Sequence, residues 1–142
     1  MRHPQVLVYE RDGLLANLLR RTGKTGQARK PTDWALREPR RLETCLRLLS
    51  RGGPSLLVLE VGHDLERELT LLERVSWLHP ETATVVVGDA EDAALAGLAW
   101  DLGASYVLFP PLLRDQLLDV IDALMARLAG TVLGTFDEDA DA

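Results

Sequence analysis

The sequence has one cysteine, seven aromatic residues and no apolar run long enough to span a bilayer, and each shortage closes off a class of protein. Cys45 alone permits no internal disulfide, and its neighbours Thr44 and Leu46 offer neither a base nor a second metal ligand, so the thiol reads as buried helix filler. With aromatics at 5 %, the core has to be built from Leu, Val and Ala. A membrane span needs roughly 20 consecutive apolar residues, and none is present. The opening MRHPQ runs straight into a strand pattern without a signal-like apolar stretch, which predicts a cytoplasmic protein. No Ser, His, Asp constellation occurs, and Val8 to Gly13, which follows the first strand pattern, holds only one glycine, too few for a dinucleotide fingerprint.

What is present fits one domain. A chain of 142 residues with 46 % apolar and 27 % charged residues is a single unit with a full core, predicted over residues 1–129, followed by a small-residue and acidic tail, 130–142, predicted to be disordered. The net charge of −6 hides an asymmetry: residues 1–51 carry 12 Lys and Arg against 5 acids, and residues 52–142 carry 4 against 17. The basic 20–51 region lacks interleaved aromatics, which argues against nucleic acid and for a solvated face. Its Gly23-Lys24-Thr25 is no phosphate loop, because Leu18 stands where the leading glycine belongs and the stretch follows a helix rather than a strand.

Five strand patterns alternate with five helical ones. Gln5 to Glu10, Asp33 to Arg37, Ser55 to Glu60, Thr82 to Val87 and Ser105 to Phe109 read as strands, the second as an edge and the third as buried on both faces. Between them, leucine stripes predict helices: Leu14, Leu15, Leu18 and Leu19 behind an Asp12 cap; Leu42, Cys45, Leu46 and Leu49 behind Pro39; Leu65, Leu69, Leu72 and Val75. A fourth helix over 90–102 has Asp89 as its cap, and a fifth over 112–128 turns Leu113, Leu117, Val120, Leu124 and Leu128 inward. Strict alternation with short connections predicts an α/β fold: a doubly wound, five-stranded parallel sheet between helical layers, flavodoxin-like, with its functional crevice at the carboxyl ends of the strands.

Four segments in these positions, VLVYERD (Val6 to Asp12), SLLVLEVGHD (Ser55 to Asp64), TVVVGDAED (Thr84 to Asp92) and GASYVLFPP (Gly103 to Pro111), resemble landmarks of the receiver domain of two-component response regulators, the CheY-like family. The resemblance implies phosphoryl transfer to an Asp, with Mg²⁺ held by an acid pair and the phosphoryl oxygens met by a hydroxyl and a Lys ammonium. It places Glu60 at the phosphoacceptor position, Glu10 and Arg11 at the acid pair, Gly88 at the hydroxyl position and Pro110, or Phe109 in a register one shorter, at the Lys position. The chemistry of each landmark is altered, Glu60 being one methylene longer than Asp, Arg11 a cation where the metal is held, and Gly88 and Pro110 without hydroxyl or ammonium, so the expectation is a degenerate pseudo-receiver with no catalytic residue, no cofactor and no metal. Arg11 and Glu60 are expected to face each other, either locking one state or forming a plain salt bridge. Glu10, Asp12, Glu60, His63 and Asp64 are the residues that could gather around a divalent metal, the less favoured reading because Arg11 sits among them.

Function then has to lie in surfaces. Leu95, Leu98, Ala99 and Leu102 are expected inward on the fourth helix, leaving Ala93, Ala96, Gly97 and Trp100 outward where a surface helix should be polar, with Leu118 and Met125 of the last helix extending the patch. Trp100 reads as an interface anchor, the competing reading being a cover for the sheet edge, and Trp34 and Trp77 read as packing. The expectation is a protein-interaction or adaptor module in a bacterial signalling assembly, with a protein partner that includes a second copy of itself. The alternative is a regulator that binds a small ligand in the sheet-end crevice or nucleic acid on the basic region.

Overall fold

The structure, a computed structural model, describes residues 4–24, 34–111 and 116–128. The order is β1 (Gln5–Tyr9), α1 (Leu14–Lys24), β2 (Ala35–Arg37), α2 (Leu42–Ser50), β3 (Ser55–Val61), α3 (Leu65–Leu78), β4 (Ala83–Gly88), α4 (Ala93–Asp101), β5 (Tyr106–Leu108) and α5, described over 117–128. All strands pair in parallel in the order β2-β1-β3-β4-β5, so the sheet is doubly wound and β2 is an edge. Residue 33 and the 130–142 tail lie outside the described residues, as does the 25–33 segment between α1 and β2.

Two cores form because strand side chains alternate between faces. Leu7, Leu57, Leu59, Val61 and Val86 point to the layer of α2, α3 and α4. Val6, Val8, Leu56, Val58, Val85 and Val87 point to the layer of α1 and α5. Every residue of β3 is buried, as its unbroken apolar run requires of a strand covered on both sides. Cys45 fills the first core, and burial pushes its thiol up to about 12, which leaves it without a thiolate near neutral pH.

Several helix faces are rotated from the expected stripes. In α1, Leu15, Ala16 and Leu19 are buried while Leu14, in the first turn and beyond the sheet's end, is 57 % exposed. In α3 the inward set is Glu68, Leu71, Leu72 and Val75, with Leu69 half-buried and Leu65 exposed in the first turn. On α5, Ile121 is fully buried and Val120 only partly, while residue 113 is not described. Helix starts differ as well. Pro39 is buried ahead of α2 rather than within its first turn, Arg41 being the N-cap. Asp92 and not Asp89 caps α4, accepting from the Leu95 N–H at 3.0 Å. The segment expected as loop from Thr22 continues α1 to Lys24.

The ends of α3 and α4 meet at one hydroxyl. Ser76 Oγ donates to the Leu102 carbonyl at 2.7 Å and lies 3.0 Å from the Leu72 carbonyl of its own helix. Gly103 follows with φ +111, and a Cβ there would overlap Ser76 Oγ. Gly97, by contrast, has open space around it in the middle of α4. We expect Gly103→Ala to cost about 2 kcal/mol or more, and Gly97→Ala to gain about 0.5–1 kcal/mol from helix propensity, both read by urea unfolding. Equal effects at the two positions would contradict this packing.

Candidate functional site

The sheet order reverses direction between β1 and β3, and in such folds the crevice outside their carboxyl ends is the binding position. Glu10 stands there, one residue past β1. Its two oxygens accept the N–H groups of Leu15 at 2.8 Å and Ala16 at 2.9 Å. Glu10 therefore satisfies free amides at the start of α1, where its charge also suits the helix dipole. Asp12, expected in that role, accepts only from Leu14 N–H at 3.4 Å.

Glu60 ends the buried run with 2 % exposure, and among its neighbours is His63, whose Nε2 lies 3.0 Å from Glu60 Oε1 without the alignment of a hydrogen bond. The expected Arg11–Glu60 pair is not what forms: Arg11 is exposed on the rim, and the histidine three residues on, brought back by the turn at Gly62, reaches Glu60 instead. Of the five residues considered for a metal, Glu10, Asp12 and Glu60 do converge, with carboxylate oxygens within 4.8 Å of one another. Asp64 is turned away, capping α3 through the Arg67 N–H and lying 3.7 Å from the Arg67 guanidinium.

At the end of β4, Gly88 is buried against Phe109. A Cβ at 88 would meet three ring carbons of Phe109 at 2.6, 2.7 and 2.8 Å, so the ring occupies the space of a side chain there. Of the two residues considered for the ammonium position, Phe109 thus reaches Gly88, while Pro110 is half-buried beyond it.

Glu68 is a residue to which the sequence pattern assigned no role. It is 5 % exposed and accepts the Gly62 N–H at 2.9 Å and the Asp64 N–H at 3.1 Å, holding the whole β3–α3 loop. The available signal was a carboxylate four residues after the Asp64 cap, a capping box one residue late. Around these groups opens a crevice of about 510 Å³, walled also by Tyr9, Arg11, Arg40 and Arg67. Burial raises the Tyr9 phenol above its ordinary value against the opposing charge of Arg67.

The expected contact face is partly redrawn. On α4, Ala93 and Gly97 are exposed and Trp100 is 50 % exposed, its ring edge-on to Tyr106 at 6.3 Å between centroids. Ala96 packs inward with Leu95 and Leu102, whereas Leu98, expected inward, is 42 % exposed. The inward arc is centred on Ala99, so Ala96 and Leu98 exchange roles. Leu118 and Met125 are half-buried against the second core. Trp77, read as packing, is 82 % exposed at the end of α3. No described helix is long and apolar enough to cross a membrane.

No protein-family model and no curated protein matches the sequence. In three dimensions the chain is similar to response-regulator receiver domains, and its fold is theirs. The signal receiver domain of an HD domain-containing protein from Pseudomonas fluorescens Pf-5 superposes with a TM-score of 0.71 at 20 % identity, over 92 % of this chain and 93 % of that one. A CheY-like receiver domain protein from Methanospirillum hungatei JF-1 gives 0.70 at 12 % identity, over 92 % and 99 %. NtrX from Brucella abortus gives 0.69 at 20 % identity over 95 % of this chain, which spans 29 % of the NtrX length.

Two substitutions test the site's construction. Replacing Glu68 by Leu keeps the packing but strips the loop amides of their acceptor, so Glu68→Leu is expected to destabilise by about 2 kcal/mol and Glu68→Gln by less. A neutral Glu68→Leu in chemical denaturation would show that the side chain only fills space. Gly88→Ser is expected to cost about 1–3 kcal/mol, and that cost should vanish in a Phe109→Ala background. An unchanged cost there would remove the ring as the obstacle.

Proposed function

We propose that the chain is a pseudo-receiver, a protein-interaction or adaptor module in a bacterial signalling or regulatory assembly that acts without being phosphorylated and is not an enzyme. The observation that carries this reading is the Phe109 ring against Gly88. The transition state of phosphoryl transfer is stabilised almost entirely by placed charges and donors. An aromatic ring offers neither, and it excludes the side chain that would carry a hydroxyl. Glu60 adds one methylene relative to Asp, and its Oε1 faces His63.

Partner recognition is assigned to α4. A helix apolar on nearly all sides belongs in a buried position, yet Ala93, Gly97, Leu98 and Trp100 are exposed on it. Trp100 is the natural anchor, since a half-exposed indole held edge-on by Tyr106 is already ordered before a partner arrives. The partner is a protein, including a second copy of this chain, with Leu118 and Met125 flanking the contact, and the module is cytoplasmic.

A second reading is favoured by the convergence of Glu10, Asp12 and Glu60. Three carboxylates are the oxygen donors that Mg²⁺ takes, and these residues would hold it and neutralise its charge, although both oxygens of Glu10 already accept backbone amides. Retained phosphorylation would then fall on Glu60.

Light scattering over a concentration range, on wild type and Trp100→Arg with and without acetyl phosphate and Mg²⁺, separates the two. The expected result is a wild-type dimer that Trp100→Arg splits and that the phosphodonor leaves unchanged, with no phosphate on the chain by mass spectrometry. Phosphate on Glu60 would overturn the pseudo-receiver reading, and a wild-type monomer would remove self-association.

A further inference from the structure

We propose that the crevice between β1 and β3 is a binding site for a small organic oxyanion, a phosphate- or carboxylate-bearing metabolite held by Arg11, Arg40 and Arg67 without a metal. The inference does not rest on the adaptor reading, because it concerns the opposite use of the molecule: the sheet end rather than α4.

The volume is right for it. Metabolite sites run from about 300 to 1,000 Å³, and this crevice holds about 510 Å³. An adjoining cavity of about 380 Å³, sharing Asp64 and Arg67 and bordered by Leu42, Glu66 and Thr70, gives the body of the ligand room between α2 and α3, with the Glu66 carboxylate suiting an uncharged or cationic part of it.

The charge balance decides the ligand's sign. Counted by residue, the wall is mixed, but its carboxylates are largely committed. Both oxygens of Glu10 accept the amides of Leu15 and Ala16. Those of Glu68 accept the amides of Gly62 and Asp64. Asp64 is divided between the Arg67 amide and, at 3.7 Å, the Arg67 guanidinium. Arg11 and Arg40, both exposed, form no ion pair with any described residue. The donors left over are therefore two whole guanidinium groups, most of a third on Arg67, and the phenol of Tyr9. Guanidinium forks match a planar carboxylate or a phosphate bidentately, and such charge-assisted bonds are the strong ones.

The oxyanion is seated toward Arg40 and Arg67, on the α2 and α3 side. Arg11 stands in the wall of the same crevice and adds its cation to those of Arg40 and Arg67. Tyr9 lines the same crevice and offers its phenol as a neutral donor.

The test uses the full chain with EDTA present, at constant ionic strength, titrated with inorganic pyrophosphate in one arm and citrate in the other, and read by backbone amide shifts in NMR and by thermal stabilisation. Saturable shifts confined to Tyr9, Arg11, Arg40 and the loop from Gly62 to Glu68 are expected. Arg40→Gln and Arg11→Gln should each weaken binding about tenfold or more, while Arg51→Gln, at the far end of α2, leaves it unchanged. Saturation by pyrophosphate alone marks a phosphate ligand, by citrate alone a carboxylate ligand, and by both the shared oxyanion. Shifts that do not saturate, or that Arg51→Gln weakens as much as Arg40→Gln does, would overturn the site. Because the amide spectrum reports the fold of each variant, loss of binding is read only from folded protein, and neither result bears on the Trp100 face.

Discussion

The structure depends on burying β3 on both faces. Leu56 to Leu59 carry no polar side chain, so the strand is stable only in mid-sheet with a helical layer on either side. Its neighbours β1 and β4 complete its hydrogen bonds, and α1 with α5 on one face and α2 to α4 on the other complete its apolar cover. The crevice follows from the same constraint. Chain connections leave β1 and β3 in opposite directions, and the gap between those departures is where Glu10, Glu60 and the arginines meet.

At that gap the carboxylates act mainly on the backbone. Glu10 holds the start of α1 and Glu68 holds the loop that carries His63, each through two amide bonds. A carboxylate already matched to two N–H donors is ordered and partly neutralised, which makes it a firm structural element and a reduced ligand for a cation. Phe109 over Gly88 extends the same tendency to β4. Together they describe a receiver-like fold whose crevice end is tied down by backbone contacts, with the Arg11 and Arg40 guanidinium groups on the rim.

On the side of the molecule, α4 keeps an apolar surface that the fold does not cover. Its anchor to the sheet is narrow: Ala99 is its only fully buried residue, assisted by Leu95, Ala96 and Leu102 and by the Ser76 bridge at its end. Beside it, the Trp100 ring meets Tyr106 edge-on.

The sequence by itself determined the class of fold. Short aliphatic runs in Val6 to Val8 and Val85 to Val87, a longer one in β3 and leucine stripes between them leave few arrangements other than a doubly wound parallel sheet, and they placed Glu10, Glu60 and Gly88 at the sheet's end. Local periodicity could not set the rotation of each helix. Which of Leu65 or Glu68, Leu98 or Ala96, is buried depends on the height at which a helix crosses the sheet and on polar groups waiting there. Nor could it pair Glu60 with His63 rather than Arg11, set Phe109 against Gly88, or gather Arg11, Arg40 and Arg67 around one crevice. Those contacts join residues on separate elements, and only the packed fold sets the distances between them.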